Sequence, residues 1–465
     1  MKKIIILALA LSLLVPAAAF AKADFSLGGF IKLDVWWDST GNAKNINGVV
    51  NRNNDPNFHH GALKFTSQAS RFNLTIRGPE LFGAKTTGFI EMDFDPIDRP
   101  RLGLDTASNS YTPRLRHAMF RLTWPETELL MGQYWSLFSS WYAETTEDGP
   151  FQITGTPTAR MAQIRLTQKF LGDWAVMLLI GDPWNNVGTS QNATNTAAVS
   201  MFGGEVYSNN YNNGESAETP MIQGSIKYAH DWWGKAAYYG SPRPFTVQIM
   251  AGWQRNVARP AAVNALGSFN AGNTPADAYI GHTYVNPWCV MGTVFIPVIP
   301  THSANLAGTA SILAQYFIGQ GLTAFGFTGD ATNVLNYDSV TGLGTLYNIE
   351  LIKRWGGFVQ GQYYFTNQWF VNVAYAMSKT FGVDQGFFNA AGVPSVAYTN
   401  VNNQISLFNQ VDAALWYRPV KALKFGLQYA YAHNTYFTNT AQTVGANLSN
   451  HGDEHRVQFV GYFYF

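Results

Sequence analysis

The chain has 465 residues, of which 15% are aromatic and only 13% are charged, and its formal net charge is +1. Soluble domains carry roughly 25% charged residues, so this composition argues against an ordinary soluble domain. The near-neutral balance gives no reason to expect a nucleic-acid partner. The single cysteine, Cys289, excludes an intramolecular disulfide framework.

The N-terminus has the pattern of a secretory signal peptide. Two lysines precede an apolar run that ends in the A-x-A cleavage pattern Ala19–Ala21. We therefore expect residues 1–21 to be removed on export, with Ala23 as a second possible cleavage point. Residues 22–465 would then form a single domain. No later apolar run reaches the length of a membrane helix.

The first and last segments of this domain alternate between apolar and polar residues. DFSLGGFIKLDVWWD puts Ile31 and Leu33 on one face and Lys32 and Asp34 on the other, and HRVQFVGYFYF at the C-terminus alternates in the same way. This pattern is typical of strands that separate lipid from water, and about ten tilted residues span a bilayer. Because an open sheet edge cannot sit in lipid, we expect a closed barrel whose last strand pairs with its first.

Alternately short and long connections separate the predicted strands. Short turns fall at Pro79–Gly83 and Leu171–Asp173, whereas the segments near 182–218 and 258–281 are long and polar. The sequence therefore predicts an all-β fold, a transmembrane antiparallel β-barrel of sixteen strands with long extracellular loops. Eighteen strands is the alternative, because 305–328 and 344–365 could each hide another hairpin. No segment has the character of a separate plug.

Large aromatic residues recur at the predicted periplasmic ends of strands. Rings at this level form membrane girdles, since one ring edge is apolar and the other tolerates water. The predicted girdle residues are Trp124, Trp174, Trp369, Tyr417 and Phe465.

Five segments in roughly the first third of the chain resemble the DcaP-like trimeric porins and, in arrangement, the general porins of Gram-negative outer membranes. They are GGFIKLDVWWDS, SRFNLTIRGPELFG, GFIEMDF, LRHAMFRLTW and LLMGQYWSLF. The resemblance implies sixteen strands, three barrels per trimer, and a third external loop folded inward to narrow each pore. In this chain the third external loop is the segment 137–158. The terminal aromatic, Phe465, also resembles the signal that the barrel assembly machinery reads.

A pore discriminates by its diameter and by the charges at its narrowest point. The inward positions predict a basic wall facing acidic residues of the third loop, with further acids in the lumen. The wall residues are Lys32, Arg71, Arg121 and Arg165, the loop residues are Glu144, Glu147 and Asp148, and the lumen acids are Glu91 and Asp93. Arg114 and Arg116 have outward parity at the external end of their strand, where they would reach lipopolysaccharide or a neighbouring subunit.

Two other clusters have the residue types of a metal site but not its spacing. His451–His455 lies at a loop–strand junction where i, i+4 spacing does not converge. The aspartates Asp93, Asp95, Asp98 and Asp105 lack a complete calcium-loop pattern. We expect neither a metal nor a cofactor.

The leading hypothesis is a passive channel for small hydrophilic, possibly anionic, solutes, a homotrimer in contact with outer-membrane lipid and lipopolysaccharide. A substrate-specific carboxylate channel, a barrel-embedded enzyme of the phospholipase kind and an adhesive barrel are the alternatives. No catalytic motif of the hydrolase, zinc-protease or phosphate-loop kind is present, and we expect no enzymatic activity.

Overall fold

The computed structural model describes residues 23–40, 50–55, 60–94, 113–183, 214–258, 283–328, 333–338, 345–381, 405–436 and 449–465. The predicted signal peptide, residues 1–21, lies outside these ranges. Across the described residues, no helix is long and apolar enough to cross a membrane.

Within the described ranges, sixteen antiparallel strands form a closed ring. They are β1 (Asp24–Asp38), β2 (Arg71–Arg77), β3 (Lys85–Asp93), β4 (Arg114–Thr123), β5 (Thr127–Trp135), β6 (Arg160–Phe170), β7 (Trp174–Gly181), β8 (Met221–His230), β9 (Phe245–Trp253), β10 (Trp288–Ile299), β11 (Ala310–Gln320), β12 (Lys353–Tyr364), β13 (Trp369–Phe381), β14 (Ile405–Val420), β15 (Leu423–Tyr436) and β16 (His451–Tyr464). The predicted strand number is confirmed. Short turns are periplasmic and long loops extracellular in bacterial barrels, and the two ends are named accordingly here.

The ring closes where the last strand meets the first. β16 pairs with one edge of β1, from Tyr464 opposite Phe30 to Arg456 opposite Asp38. The other edge of β1 pairs with β2 and then with the short strand Ala62–Thr66. The predicted pairing of the C-terminal strand with β1 is therefore confirmed, and it leaves neither edge of β1 open to lipid.

The two segments that could have hidden extra barrel strands do not add to the ring. Residues 305–328 contain β11 and a short 3-10 helix, Leu322–Phe325. Residues 344–365 contain β12 and the strand Thr345–Leu351, which pairs with Asn333–Asp338 in a separate hairpin. Each segment is long because it contains one strand of the ring and one further element that is not part of the ring.

The period-two pattern separates two solvents across the wall. On β1, Ile31 is 54% exposed on the outer face whereas Lys32 is 2% exposed on the inner face. On β16, Phe459 is 41% exposed and its neighbour Gln458 is 1% exposed. The outer surface is thus apolar, as a bilayer requires, and the lumen is lined by polar side chains.

The predicted girdle residues lie at the periplasmic end of their strands. Trp369 stacks on Tyr417 with ring centroids 4.3 Å apart, and Trp174 contacts Tyr228 at 4.8 Å. Trp124 Nε1 donates a hydrogen bond to the carbonyl of Phe82 in the neighbouring turn. Their function as a membrane girdle stays a prediction.

Phe465 is exposed on the outer face beside the closing seam. Its backbone N–H donates to the Gly29 carbonyl at 3.3 Å, and its ring contacts Phe72 at 5.9 Å. The position suits a residue that must be accessible while the barrel closes. Its role as an assembly signal stays a prediction.

One periplasmic connection differs from the expected short turn. Between β8 and β9, the strands Ala236–Tyr238 and Ser241–Arg243 form a two-stranded hairpin, and Ala236 and Ala237 are buried. The hairpin folds into the lumen, where Ala237 packs in a cluster with Phe370 and Trp416. The lumen is therefore occupied in part by an element from the periplasmic end of the barrel.

We predict that Gly29→Val impairs closure of the ring. Gly29 has a φ of +146°, and a Cβ at this position would lie well inside van der Waals distance of the Arg71 carbonyl oxygen. A side chain there forces β1 and β2 apart and lowers the yield of folded barrel. The measurement is the fraction of unheated protein that migrates as the compact folded species in gel electrophoresis.

Gly292→Val is the matched control, because a Cβ at Gly292 would meet nothing within 4 Å. Equal folded fractions for the two variants would show that the close approach of β1 and β2 at Gly29 does not limit closure of the ring.

Candidate functional site

The third external loop, residues 136–159, lies inside the barrel and is called the inner loop below. It begins with a 3-10 helix, Leu137–Ser139, whose first turn is capped by the Ser136 hydroxyl accepting from the Phe138 N–H at 3.2 Å. Phe138 packs in the lumen against Phe325, with ring centroids 5.3 Å apart. Most residues of the loop are buried, so the inward fold implied by the resemblance is present.

Polar groups of the barrel wall hold the inner loop at several points. The main anchor is Glu144, whose carboxylate pairs with Lys424 Nζ at 2.5 Å and accepts from Gln362 Nε2 at 2.7 Å. The Asn372 amide donates to the Glu144 carbonyl at 2.6 Å. These partners come from three wall strands. The loop is therefore held by contacts within the lumen and not only by the two strands that it connects.

A second set of anchors holds the neighbouring loop residues. Lys32 Nζ donates to the Thr146 carbonyl at 3.0 Å, and the Thr146 N–H donates to Gln428 Oε1 at 2.8 Å. Trp141 Nε1 donates to Gln248 Oε1 at 2.8 Å on the opposite side of the barrel. The inner loop therefore divides the lumen into separate spaces.

One of these spaces is a cavity of about 390 Å³ with charged walls. Among the described residues, its cationic lining is Arg71, Arg114, Arg116, Arg160 and Lys424. Glu147 and Asp148 of the inner loop contribute acidic groups, and the aromatic lining is Phe30, Trp135, Tyr142, Tyr239, Tyr462 and Tyr464. The cavity thus combines opposed charges with apolar ring faces.

The inward position of Arg114 and Arg116 corrects the outward parity expected for them. The register between β3 and β4 shifts at Glu91, which faces His117, while the next residue, Met92, faces Leu115. Arg116 is therefore the extra residue of a β-bulge, and a bulge reverses the side-chain alternation beyond it. Both arginines consequently point into the lumen instead of toward lipopolysaccharide.

Acids on β3 partly neutralise these arginines from behind. Asp93 pairs with Arg114 at 2.7 Å and with Arg116 at 2.5 Å, and Glu91 pairs with Arg116 at 2.7 Å. Glu91 also lies 3.9 Å from Arg71, which is a weaker pair. The lumen acids therefore support the arginine cluster rather than forming an acidic wall of their own.

Asp148 faces the arginines from the inner loop. Its carboxylate lies 3.1 Å from Arg71 Nη2. Burial alone would raise the pKa of Asp148, but the charges of Arg71, Arg116, Lys32 and Arg114 outweigh it and hold the pKa well below the usual range. Asp148 therefore carries its negative charge at neutral pH, and a transverse field crosses the cavity.

The structure separates the four predicted wall residues. Arg71 lines the cavity, whereas Lys32 is buried, paired with Asp34 at 2.7 Å and engaged with the inner loop. The guanidinium groups of Arg121 and Arg165 lie 5.9 and 5.2 Å from the centre of the Tyr134 ring, and neither residue lines the cavity. Of the loop acids, Glu147 and Asp148 line the cavity and Glu144 serves as the anchor.

Sequence reasoning missed part of the site. Arg160, which lies 4.9 Å from the centre of the Trp135 ring, flanks the inner loop directly, and its position next to that loop was a usable signal. Tyr239 comes from the periplasmic hairpin, which no sequence pattern placed inside the barrel.

The structure describes one of the two clusters that lack metal-ligand spacing and part of the other. His451, Asp453 and His455 share the outer face of β16 while Glu454 is buried on the inner face. Within the described part of the chain, no group of three or more His, Cys, Asp or Glu side chains is arranged to hold a metal ion. Asp95, Asp98 and Asp105 lie outside the described residues. Cys289 is buried in an apolar cluster inside the barrel.

No protein-family model matches the sequence, and no curated protein sequence matches it either. The structure is similar to that of the outer membrane channel DcaP of Acinetobacter baumannii, with a TM-score of 0.63 and 18% identity over 96% of this chain and 99% of that chain. OmpF of Salmonella typhi has a TM-score of 0.48 at 12% identity, covering 94% of this chain and 97% of its own. OprB of Pseudomonas putida also has a TM-score of 0.48, at 10% identity, and the match covers 95% of this chain and 94% of OprB.

The last two likenesses are too distant to carry an argument. The first shows a shared barrel fold over nearly the whole length of both chains. The resemblance to the DcaP-like porins predicted from the sequence is thus confirmed at the level of the fold.

Proposed function

We propose that this protein is an outer-membrane porin, a passive diffusion channel for small hydrophilic solutes with a mild preference for anions. The observation that carries the proposal is the charged cavity between the inner loop and the wall arginines. The outer surface is apolar and the lumen polar, so water and solutes are confined to the interior. The porin-like fold supports the same conclusion.

The charge balance around the cavity supports the anion preference. Among the described residues, five cationic side chains line it against the two acids Glu147 and Asp148. Glu91, Asp93 and Glu144, which do not line the cavity, pair with Arg114, Arg116 and Lys424 and bring the formal charge of these ten groups to zero. Low-dielectric walls strengthen the field of these charges. Because the five cations line the cavity whereas the three pairing acids do not, anions are mildly favoured without cations being excluded.

A substrate-specific channel for organic carboxylates is the second candidate. Rings and guanidinium groups alternate along the cavity, with Arg71 lying 5.0 Å from the Phe30 ring and Arg116 lying 5.5 Å from the Trp135 ring. Such a lining fits a carboxylate with an apolar body. Saturation of the anion current with one carboxylate at low concentration would favour this candidate over a general porin.

We infer a homotrimer, the form implied by the family resemblance. The outer face of β1 and the strand Ala62–Thr66 carries strongly exposed apolar side chains, among them Leu27 and Leu63. This face offers a surface for subunit contact as well as for lipid. We also infer export with removal of residues 1–21 and a single barrel domain over 22–465.

We expect the purified protein to conduct in a planar lipid bilayer, with current steps in groups of three. A salt gradient across the bilayer gives a reversal potential whose sign reports the charge preference. Correctly folded protein that produces no current steps would remove the porin proposal. In that case lipid hydrolysis and ligand binding by the external loops become the assays for an enzyme or an adhesive barrel.

We predict that Arg71→Ser shifts selectivity toward cations. Arg71 lines the cavity and its Nη2 lies 3.1 Å from the Asp148 carboxylate, so its removal leaves that acid less compensated. The loss of one charge at this distance is expected to lower the anion-to-cation permeability ratio roughly threefold after screening. The reversal potential in a salt gradient measures the shift.

Arg121→Ser is the matched control, since Arg121 also pairs with an acid, Glu128 at 3.5 Å, but lies outside the cavity lining. Equal shifts in the two variants would contradict the assignment of the cavity as the selective passage.

We predict that the influence of Asp148 on selectivity persists in acid. A free aspartate has a pKa of about 3.9, and the pKa of Asp148 is held lower by the surrounding cations. Its negative charge is therefore kept as the pH falls through that ordinary value and is lost only as the pH falls through the lower folded-state value. The difference in reversal potential between the wild type and Asp148→Asn should be the same at neutral pH and at about pH 4. Disappearance of this difference by pH 4 would show that the cations do not hold the carboxylate ionised.

A further inference from the structure

The periplasmic hairpin, residues 235–243, has the geometry of a rigid projection into the pore. Tyr238 pairs with Ser241, so Tyr239 and Gly240 form a two-residue turn, with φ angles of 49° and 73°. Two positive φ angles are characteristic of the tight type I′ turn that suits hairpins. At the base, Lys235 and Thr301 exchange backbone hydrogen bonds of 2.8 and 2.7 Å.

The hairpin lies against the barrel wall along its length. The Ser311 hydroxyl donates to the Ala237 carbonyl at 3.0 Å, and Ala237 is buried against the aromatic cluster of the lumen. At the tip, a Cβ on Gly240 would lie 2.8 Å from Arg418 Nη1 and 4.0 Å from the Tyr364 hydroxyl. The hairpin therefore reaches from the β8–β9 connection across β11 to β12 and β14.

Two tyrosines of the hairpin contact the inner loop from the periplasmic side. The Tyr142 N–H donates to the Tyr238 hydroxyl at 3.1 Å, and the Tyr239 hydroxyl donates to the Ala143 carbonyl at 2.9 Å. The inner loop is thus held by the wall strands and also by an element that enters from the opposite end of the barrel.

Tyr239 is also part of the cavity lining. The same cavity is bounded by Tyr462 and Tyr464 of β16 and by Lys424 of β15. Because the hairpin enters from the periplasmic end of the barrel, the Tyr239 ring reaches this cavity from that side.

We propose that the hairpin and the β16 tyrosines form the narrowest passage on the periplasmic side of the cavity, and that the Tyr239 ring sets the size limit for solutes there. This inference rests on the proposed function, since a size limit has meaning only in a conducting pore. It assigns the selection of size to the hairpin and the selection of charge to the arginine cluster.

The test compares Tyr239→Gly with Tyr239→Phe in the full-length protein. Glycine removes the ring and suits the positive φ at this position, whereas phenylalanine keeps the ring and removes only the hydroxyl. Tyr239→Gly is expected to raise single-channel conductance roughly 1.5-fold, because conductance follows the cross-section of the narrowest passage. It should also extend uptake of neutral sugars into proteoliposomes to larger sizes. Tyr239→Phe keeps the ring but loses the hydrogen bond to Ala143, so it should raise conductance less than Tyr239→Gly and should not extend the size limit as Tyr239→Gly does.

A second variant keeps the inference testable if Tyr239→Gly folds poorly. His230 and Phe245 are paired at the ends of β8 and β9, so a short turn can replace the hairpin without altering the barrel register. This variant should show at least the increase expected of Tyr239→Gly.

Three outcomes would overturn the inference. Wild-type conductance in both Tyr239→Gly and the hairpin-replacement variant would show that the passage is not narrowed by the hairpin. An equal increase in Tyr239→Phe would assign the effect to release of the inner loop rather than to the ring. An increase in conductance without a change in the size limit for sugars would remove the size-selecting role. Failure of the wild type itself to conduct would instead count against the proposed function.

Discussion

A sheet in lipid must pair every backbone edge, because each unsatisfied N–H or C=O group in hydrocarbon costs several kcal/mol. In this chain the requirement is met by the pairing of β16 with β1. Closure has a consequence for the side chains, since every second residue of each strand is then forced into the lumen. The outer face can be uniformly apolar only if polar residues are placed inside, so the constraint that seals the barrel also creates a polar interior.

Buried polar groups in the lumen need hydrogen-bond or ion-pair partners. Contacts with such groups position the inner loop. Glu144 and Lys424 are both buried, and removing one partner of such a pair typically costs about 3–5 kcal/mol. The carboxylate also accepts from Gln362, and the Glu144 carbonyl accepts from Asn372. These partners are complementary to the loop at one position only, so the loop and the cavity beside it have a defined geometry.

The alternation of apolar and polar residues predicted the barrel. The prediction of side-chain direction failed where that direction depends on the pairing with a neighbouring strand. Ile31 and Lys32 were placed on the correct faces because parity is a local property. Arg116 was placed on the wrong face because its bulge forms only in the register with Glu91 and Asp93 on β3. The hairpin tip at Tyr239 and Gly240 similarly has a recognisable turn, but its inward direction depends on contacts with the inner loop, distant in sequence.

Lys32 shows that an inward side chain does not have to line the cavity. Its ammonium group points inward as expected, but a buried ammonium must be paired, and Asp34 and the Thr146 carbonyl supply its partners. In a lumen partly filled by a folded loop, some inward charges only hold the loop, whereas others also face open space. Arg71 is of the second kind, since it pairs with Asp148 of the loop and also lines the cavity. The path of the inner loop therefore decides which wall charges a solute meets, and this path is a property of the assembled barrel.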